Sequence, residues 1–332
     1  MDNNQFPVHE LEADSPKPKR SWNRIALFLI CLGAIMSAAG WLSGSRGGSL
    51  ALVGGRLEIH SSSRGAGNNE QTFNPGSFTQ VNITAGSANV IIIPVTGRNE
   101  AYRVTTHGID NPHVALTNGR LEVSTRQPQG RQRTIHFFNI GFGSSRREIR
   151  VYVPHDSLDS LDITVSSGRI QADDINASQI NAQVSSGNIQ MENITADRLI
   201  LQSTSGNVRI NNAVFSYGNI RTTSGNLRLA DVTYDSLRAV ATSGGVRVEG
   251  ARPRASSDTH LSTSSGNVQF DTNARRDSFS FDLSVSSGNI HVDGSRNRDG
   301  RQASQIAAAT ADGNHRLTAR ASSGNIRVNF GR

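Results

Sequence analysis

"SSGNIQ" occupies residues 185–190, and its variants recur along the chain: "TSGNVR" at 204–209, "TSGNLR" at 223–228, "SSGNVQ" at 264–269, "SSGNIH" at 286–291 and "SSGNIR" at 322–327. An active site needs its residues once, so a turn repeated this often points to a periodic body. The glycines of the series are Gly168, Gly187, Gly206, Gly225, Gly244, Gly266, Gly288 and Gly324, at spacings of 19, 19, 19, 19, 22, 22 and 36. Regular spacing of this kind marks a repeat architecture.

The residues around each glycine alternate. Seven, five and three places before it stand sets such as Leu161, Ile163 and Val165, or Ile180, Ala182 and Val184; two and four places after it stand Ile189 and Met191, or Leu227 and Leu229. Most positions between them are polar. Period-two alternation on both sides of a turn predicts two short strands per repeat. A 19-residue unit cannot bury a face alone, but stacked units share one core column. The expected fold is an all-β solenoid of about seven to eight coils over residues 156–330. Glycine suits a positive-φ turn position. Neighbouring Ser, Thr and Asn (Asn188, Asn207, Asn226) can bond turn backbone and stack as a ladder. The longer spacings predict insertions at coil corners, "RPRASSD" at 252–258 and "GSRNRDGRQ" at 294–302. Residues 73–155 read as an irregular N-terminal β layer that caps the stack, with "ALTNGRLEV" placing Gly119 in the glycine position.

Composition agrees with short strands and tight turns: 32 glycines, 9 prolines and 35% hydrophobic residues in 332. The single cysteine, Cys31, excludes an intrachain disulfide and a thiolate zinc cage. Net charge is +7, the first 24 residues cancel internally, and after Lys19 every lysine or arginine is an arginine. Such a surface favours anionic partners.

Residues 25–42, "IALFLICLGAIMSAAGWL", carry no charge over 18 positions, close to the roughly 20 that span a bilayer. "KPKRSWNR" precedes them, and Trp22 and Trp41 stand at the two ends. The expectation is a single transmembrane helix with residues 1–24 as a cytoplasmic tail, 43–72 as a flexible linker and the remainder outside the cell. The alternative is a signal peptide cleaved near Ala39 in "SAAG".

A "VxVP" strand, a "LxxLxI" strand and a "SSG.I" turn follow one another in "REIRVYVPHDSLDSLDITVSSGRIQ" at 147–171, ahead of the SSGNI series. In this the chain resembles a bacterial family of proposed adhesins built from β-strand repeats, a domain of unknown function, over residues 73–330. The resemblance implies a surface-exposed solenoid with roles in adhesion or envelope-stress sensing, and no catalytic residues.

Catalytic, metal and cofactor sites are not expected. Asp173 and Asp174 are adjacent and would face opposite sides of a strand; Asp162 and Asp282 fall in distant coils. The nine histidines show no HxH or HExxH spacing, and no GxSxG occurs. Three "NxS/T" sequons (Asn82, Asn176, Asn193) are near chance in so Asn- and Ser-rich a chain. The one pattern left is an arginine ladder three places after the glycine: Arg209, Arg228 and Arg247 on consecutive coils, with Arg221 as a further member, opposed by Glu192 and Glu249. "SSRRE" at 144–148 is a second basic spot. Two functions follow as expectations. One is a non-enzymatic envelope protein that binds an anionic polymer or lipid surface, with self-association possible. The other is an envelope-stress sensor whose tail contacts a membrane regulator. Nucleic acid is not an expected partner, because the repeat lacks stacking aromatics.

Overall fold

A computed structural model of the chain describes residues 47–53, 56–61, 70–95, 102–125, 135–141, 147–154, 158–293, 305–308 and 314–331. The chain divides into two compact units. In the first, spanning 1–66 and 131–144, the described residues form a three-stranded antiparallel sheet. Gly47–Val53 lies between Arg56–Ser61 and Ile135–Gly141. The stretch expected to be a flexible linker, 43–72, therefore contains strands, and Glu70–Phe73 is a further strand in the second unit. The expected membrane segment at 25–42 lies outside the described residues. Among those described, no helix is long and apolar enough to cross a membrane.

The second unit, 67–130 and 145–332, is the coil stack. Strands pair in parallel at the 19-residue offset, as in Ile170↔Ile189, Ile189↔Val208 and Val208↔Leu227. Each coil has three sides, not two. In Ile170–Ser186 the inward residues are Ile170 and Ala172, then Ile175 and Ala177, then Ile180, Ala182 and Val184. Alternation resets at Asp174, at the exposed pair Ser178–Gln179, and at the glycine turn. The corner at Asp174 repeats at Asn193, Asn212 and Asp231, with φ of 56°, 53°, 52° and 53°. Asn and Asp tolerate this left-handed conformation better than other side chains. Hydrogen bonds join the corners: Asn193 Nδ2 donates to Asp174 Oδ1 and Asn212 Nδ2 to Asn193 Oδ1, each at 2.7 Å.

Packing inside the column explains the interruptions in the apolar pattern. Gly218 replaces the usual Leu because the Phe215 ring fills that space; a Cβ there would lie 2.4 Å from Phe215 Cε2. Phe215 stacks on Tyr234, with ring centroids 5.9 Å apart. Thr259, also in a usual Leu place, meets the buried Tyr234 hydroxyl at 2.9 Å. Burial pushes the Tyr234 pKa up, so the phenol remains a neutral hydrogen-bonding group. The inward hydroxyls of Ser203, Thr222 and Thr263 donate to the carbonyls of Gly187, Gly206 and Gly244. These core hydroxyls thus have partners, as burial requires, whereas the Thr106 hydroxyl at the N-terminal end is buried without one.

Both ends depart from simple chain order. At the N-terminal end, Gln80–Ser87 and Asn89–Val95 form a regular coil on Leu158–Ser167 and Ile170–Ala172. Its turn is "SAN" at 87–89, with Ala88 in the glycine position. Gly119 instead sits with Asn118 in a hairpin turn between His113–Thr117 and Arg120–Ser124, with φ of 75° and 50°. The "ALTNGRLEV" echo is therefore a hairpin whose two positive-φ residues mimic the repeat. Arg120–Ser124 underlies Gln80–Ser87 in parallel, while Glu148–Pro154 underlies Asn89–Val95 and pairs in turn with antiparallel Arg103–His107.

At the C-terminal end, the last coil in sequence is not last in space. His315–Ser323 pairs with the Asp258–Ser265 part of one coil and with Phe279–Ser287 of the next. Ile326–Gly331 likewise lies between Val268–Arg275 and Ile290–Val292. The turns therefore run Gly244, Gly266, Gly324, Gly288. Among the described residues the stack has nine turns, the eight glycine turns from Gly168 to Gly324 and one more at Ala88, in the segment expected to be an irregular cap. The 36-residue spacing is the path that lets the chain return and insert its final coil. Gln305–Ala308 lies antiparallel on the outer edge of Phe279–Ser287, covering a strand edge that could template aggregation. The "RPRASSD" insertion falls at a coil corner, where the register jumps from Tyr234↔Pro253 to Ser236↔Asp258.

The glycine turns give a direct stability test. Gly225 has φ +152°, and a Cβ there would lie 2.0 Å from the Gly206 carbonyl oxygen; nothing lies within 4 Å of a Cβ at Gly86. Gly225→Ala should lower unfolding free energy by about 3 kcal/mol. Gly86→Ala should be neutral within about 0.5 kcal/mol. Urea unfolding of the two variants measures the contrast.

Candidate functional site

The turn column holds itself together. Asn188 Oδ1 accepts the backbone N–H of Asn207 at 2.8 Å, and Asn207 Oδ1 accepts that of Asn226 at 2.9 Å. Asn226 Oδ1 accepts the N–H of Gly245 at 2.8 Å, where the ladder breaks because glycine has no carboxamide. It resumes in spatial order: Asn267 Oδ1 accepts from Asn325 and Asn325 Oδ1 from Asn289. These asparagines are spent on the fold.

The arginine ladder lies on the side of the coil that follows the glycine. Gln190, Arg209, Arg228 and Arg247 are direct neighbours on successive coils, about 4.8 Å apart. Like charges at that distance repel unless offset. Glu249 supplies the offset. Its Oε2 lies 2.9 Å from Arg228 Nη2, and its Oε1 lies 3.6 Å from Arg247 Nη1. Both arginines remain about half exposed, at 52%. Among the described residues Arg209 has no carboxylate partner. Arg209 and Arg228 line a shallow concavity of about 230 Å³ with Gln190, Glu192 and Asn211. Glu192 there accepts from Asn211 Nδ2 at 3.3 Å.

Arg221 does not belong to this ladder. It lies on the side preceding the glycine, between Gln202 and Val240, and its Nε donates to Asn219 Oδ1 at 3.1 Å. Of the "SSRRE" spot, 144–146 lie outside the described residues, and Glu148 is paired with Arg150 at 2.6 Å. The inserted coil extends the ladder side in an unexpected order, with Arg327 between Gln269 and His291. Across this side Arg209, Arg228, Arg247 and Arg327 face Asp173, Glu192, Glu249, Asp271 and Asp293. The side as a whole is close to neutral, and its positive part is confined to the middle coils.

Charge is uneven along the stack. Residues 70–208 hold 11 arginines and 12 acids, while residues 209–332 hold 16 arginines and 10 acids. Most of the net positive charge therefore belongs to the C-terminal coils. The candidate carboxylates do not converge. Asp162 and Asp282 lie near opposite ends of the stack, and Asp174 is a corner residue bonded by Asn193. Among the described residues no group of three His, Cys, Asp or Glu could hold a metal ion.

The chain belongs to the Toastrack DUF4097 family, whose pattern matches residues 78–329. The resemblance read from 147–171 and the SSGNI series is borne out by this match. No curated protein matches the chain. The solved structures similar to the chain include two of note. One is of a proposed cell adhesion protein from Clostridium sporogenes, at 11% identity and TM-score 0.30, covering 80% of this chain and 100% of that one. The other is of a proposed adhesin from Bacteroides fragilis, at 9% identity and TM-score 0.35, covering 78% and 95%.

Removing Glu249 should expose the ladder. Glu249→Gln leaves Arg228 and Arg247 unpaired at half-exposed positions, so stability should change by less than about 1 kcal/mol. The variant should elute from a sulfonate cation-exchange column at higher salt than the parent. Unchanged elution would mean that Glu249 does not mask the ladder.

Proposed function

We propose that this Toastrack DUF4097 chain is a non-enzymatic envelope protein that binds an extended anionic polymer or surface outside the cell. Residues 25–42 hold it to the membrane. The observation that carries the reading is the register of Arg209, Arg228 and Arg247 on three consecutive coils, within the half of the stack that holds the excess of arginine. Parallel coils fix these guanidinium groups at a pitch of about 4.8 Å. A partner with repeated anionic groups can meet several at once, and each flat, forked guanidinium can take an oxygen pair. Little side-chain or backbone ordering is left to be done on binding, because the coils are already held by their ladders.

The full chain in detergent, mixed with purified cell envelopes, tests this by co-sedimentation over a salt series. Binding should fall at least about tenfold as the screening length contracts from about 10 Å at 0.1 M to about 4 Å near 0.5 M salt. The Arg209→Gln/Arg228→Gln/Arg247→Gln variant should lose most of the low-salt binding. Equal binding by the variant, or binding insensitive to salt, would overturn the proposal.

A further inference from the structure

The insertion of the C-terminal coil brings together residues that chain order keeps apart. On the side preceding the glycine turn, Arg238 neighbours His260 directly. His260 and Ser262 in turn neighbour Thr318 and Arg320 of the inserted coil. In a stack built in sequence order, Arg320 would lie at the far end, separated from His260 by the Phe279–Ser287 strand. Here Arg238 stands directly beside His260 on one neighbouring coil, and Arg320 lies diagonally across, two residues along, on the other. Arg320 is exposed, and Arg238 and His260 are half-buried.

We propose that Arg238, His260 and Arg320 form a binding patch for linear chains of phosphate groups, distinct from the Arg209–Arg228–Arg247 column and independent of it. Arg238 and Arg320 are two coils apart, about 10 Å along the stack, which suits successive phosphates better than a single one. Guanidinium forks grip phosphate oxygens in pairs. Thr318 is the direct register partner of the histidine, and Ser262 that of Arg320. Two carboxylates compete. Asp282 lies 3.6 Å from Arg320, with both side chains well exposed, and Asp258 lies beside Arg316. Among the described residues Arg238 has no carboxylate partner.

The histidine gives the patch a pH response. His260 faces Arg238 from one coil, Thr318 and Arg320 from the other, and Asp258 and Ser262 on its own strand. Burial, then Arg238 and Arg320, lower its pKa below the usual histidine value, against a weaker upward pull from Asp258. The free patch thus carries two arginine charges, that of Arg320 partly offset by Asp282, and His260 adds a third as the solution becomes acid. A bound phosphate favours the imidazolium, so binding raises the His260 pKa and tightens as pH falls through it.

Calorimetric titration of the full chain in detergent with tripolyphosphate, from pH 7.5 to 5.0, tests the assignment, alongside imidazole NMR with His260 identified by His260→Gln. Arg238→Gln and Arg320→Gln should each weaken binding about tenfold. His260→Gln should bind near the parental level at pH 7.5 and lack the parent's relative gain in acid. Arg209→Gln should be unchanged, which separates this patch from the other column. Saturating tripolyphosphate should raise the His260 pKa. Absence of binding, parental affinity in Arg238→Gln and Arg320→Gln, or a His260 titration unmoved by tripolyphosphate would overturn the proposal.

Discussion

Successive coils touch at their glycine turns with no room for a side chain. A Cβ at Gly187, Gly206, Gly225 or Gly244 would lie 1.8 to 2.0 Å from the carbonyl oxygen of the glycine one coil back. Those glycines also hold φ between 138° and 152°, which L-residues rarely adopt. The turn N–H groups meanwhile donate across the gap, as Gly206 does to the Ser224 carbonyl at 2.8 Å. The close approach fixes coil height and rotation together. Once it is set, inward residues superpose in one column and outward residues in straight files. The ladder, the acid files and the Asn bonds all inherit their spacing from this contact.

The same contact explains how a coil can be inserted out of order. What a turn recognises is another turn of the same geometry, whatever its place in the sequence. Gly324 fits Gly266 on one side and Gly288 on the other, because all three share the φ and the Ser–Gly–Asn flanks. The aromatic residues secure the result. Phe330 packs on Phe279 and Phe281, and Ser257 meets His315 at 2.9 Å. The coil of residues 315–331 is thereby held inside the stack, and the outer edge carries the antiparallel strand Gln305–Ala308.

Much of this was legible in residues 156–293, where a 19-residue period and a polar Gly turn leave one reading. The third side of the coil was not, because its inward residues are often small, as at Ala177, Ala196 and Ala213, and read as surface. The corner six places after the glycine could have been found from Asp174, Asn193, Asn212 and Asp231, which keep one residue class in one place. The N-terminal coil was hidden by Ala88, which occupies a glycine position without positive φ. The inserted coil was not legible from spacing, since a long loop does not say where its strand returns. Sequence distance from Gly225 puts Arg221 near the ladder, but Arg221 precedes the glycine and so lies on another side of the coil. The sequence sets Glu249 against the stripe of Arg228 and Arg247, and the geometry makes that opposition a shared ion pair.

The coil order decides which arginines are neighbours, and so which surface an anionic partner meets. Through-hydrogen-bond scalar couplings report that order without disturbing the protein. The account predicts couplings from the Gly266 nitrogen to the Ser323 carbonyl carbon and from the Gly324 nitrogen to the Ser287 carbonyl carbon, matching bonds of 2.9 Å each. A coupling from the Gly266 nitrogen to the Ser287 carbonyl carbon would mean that the coils stack in chain order, and would contradict it.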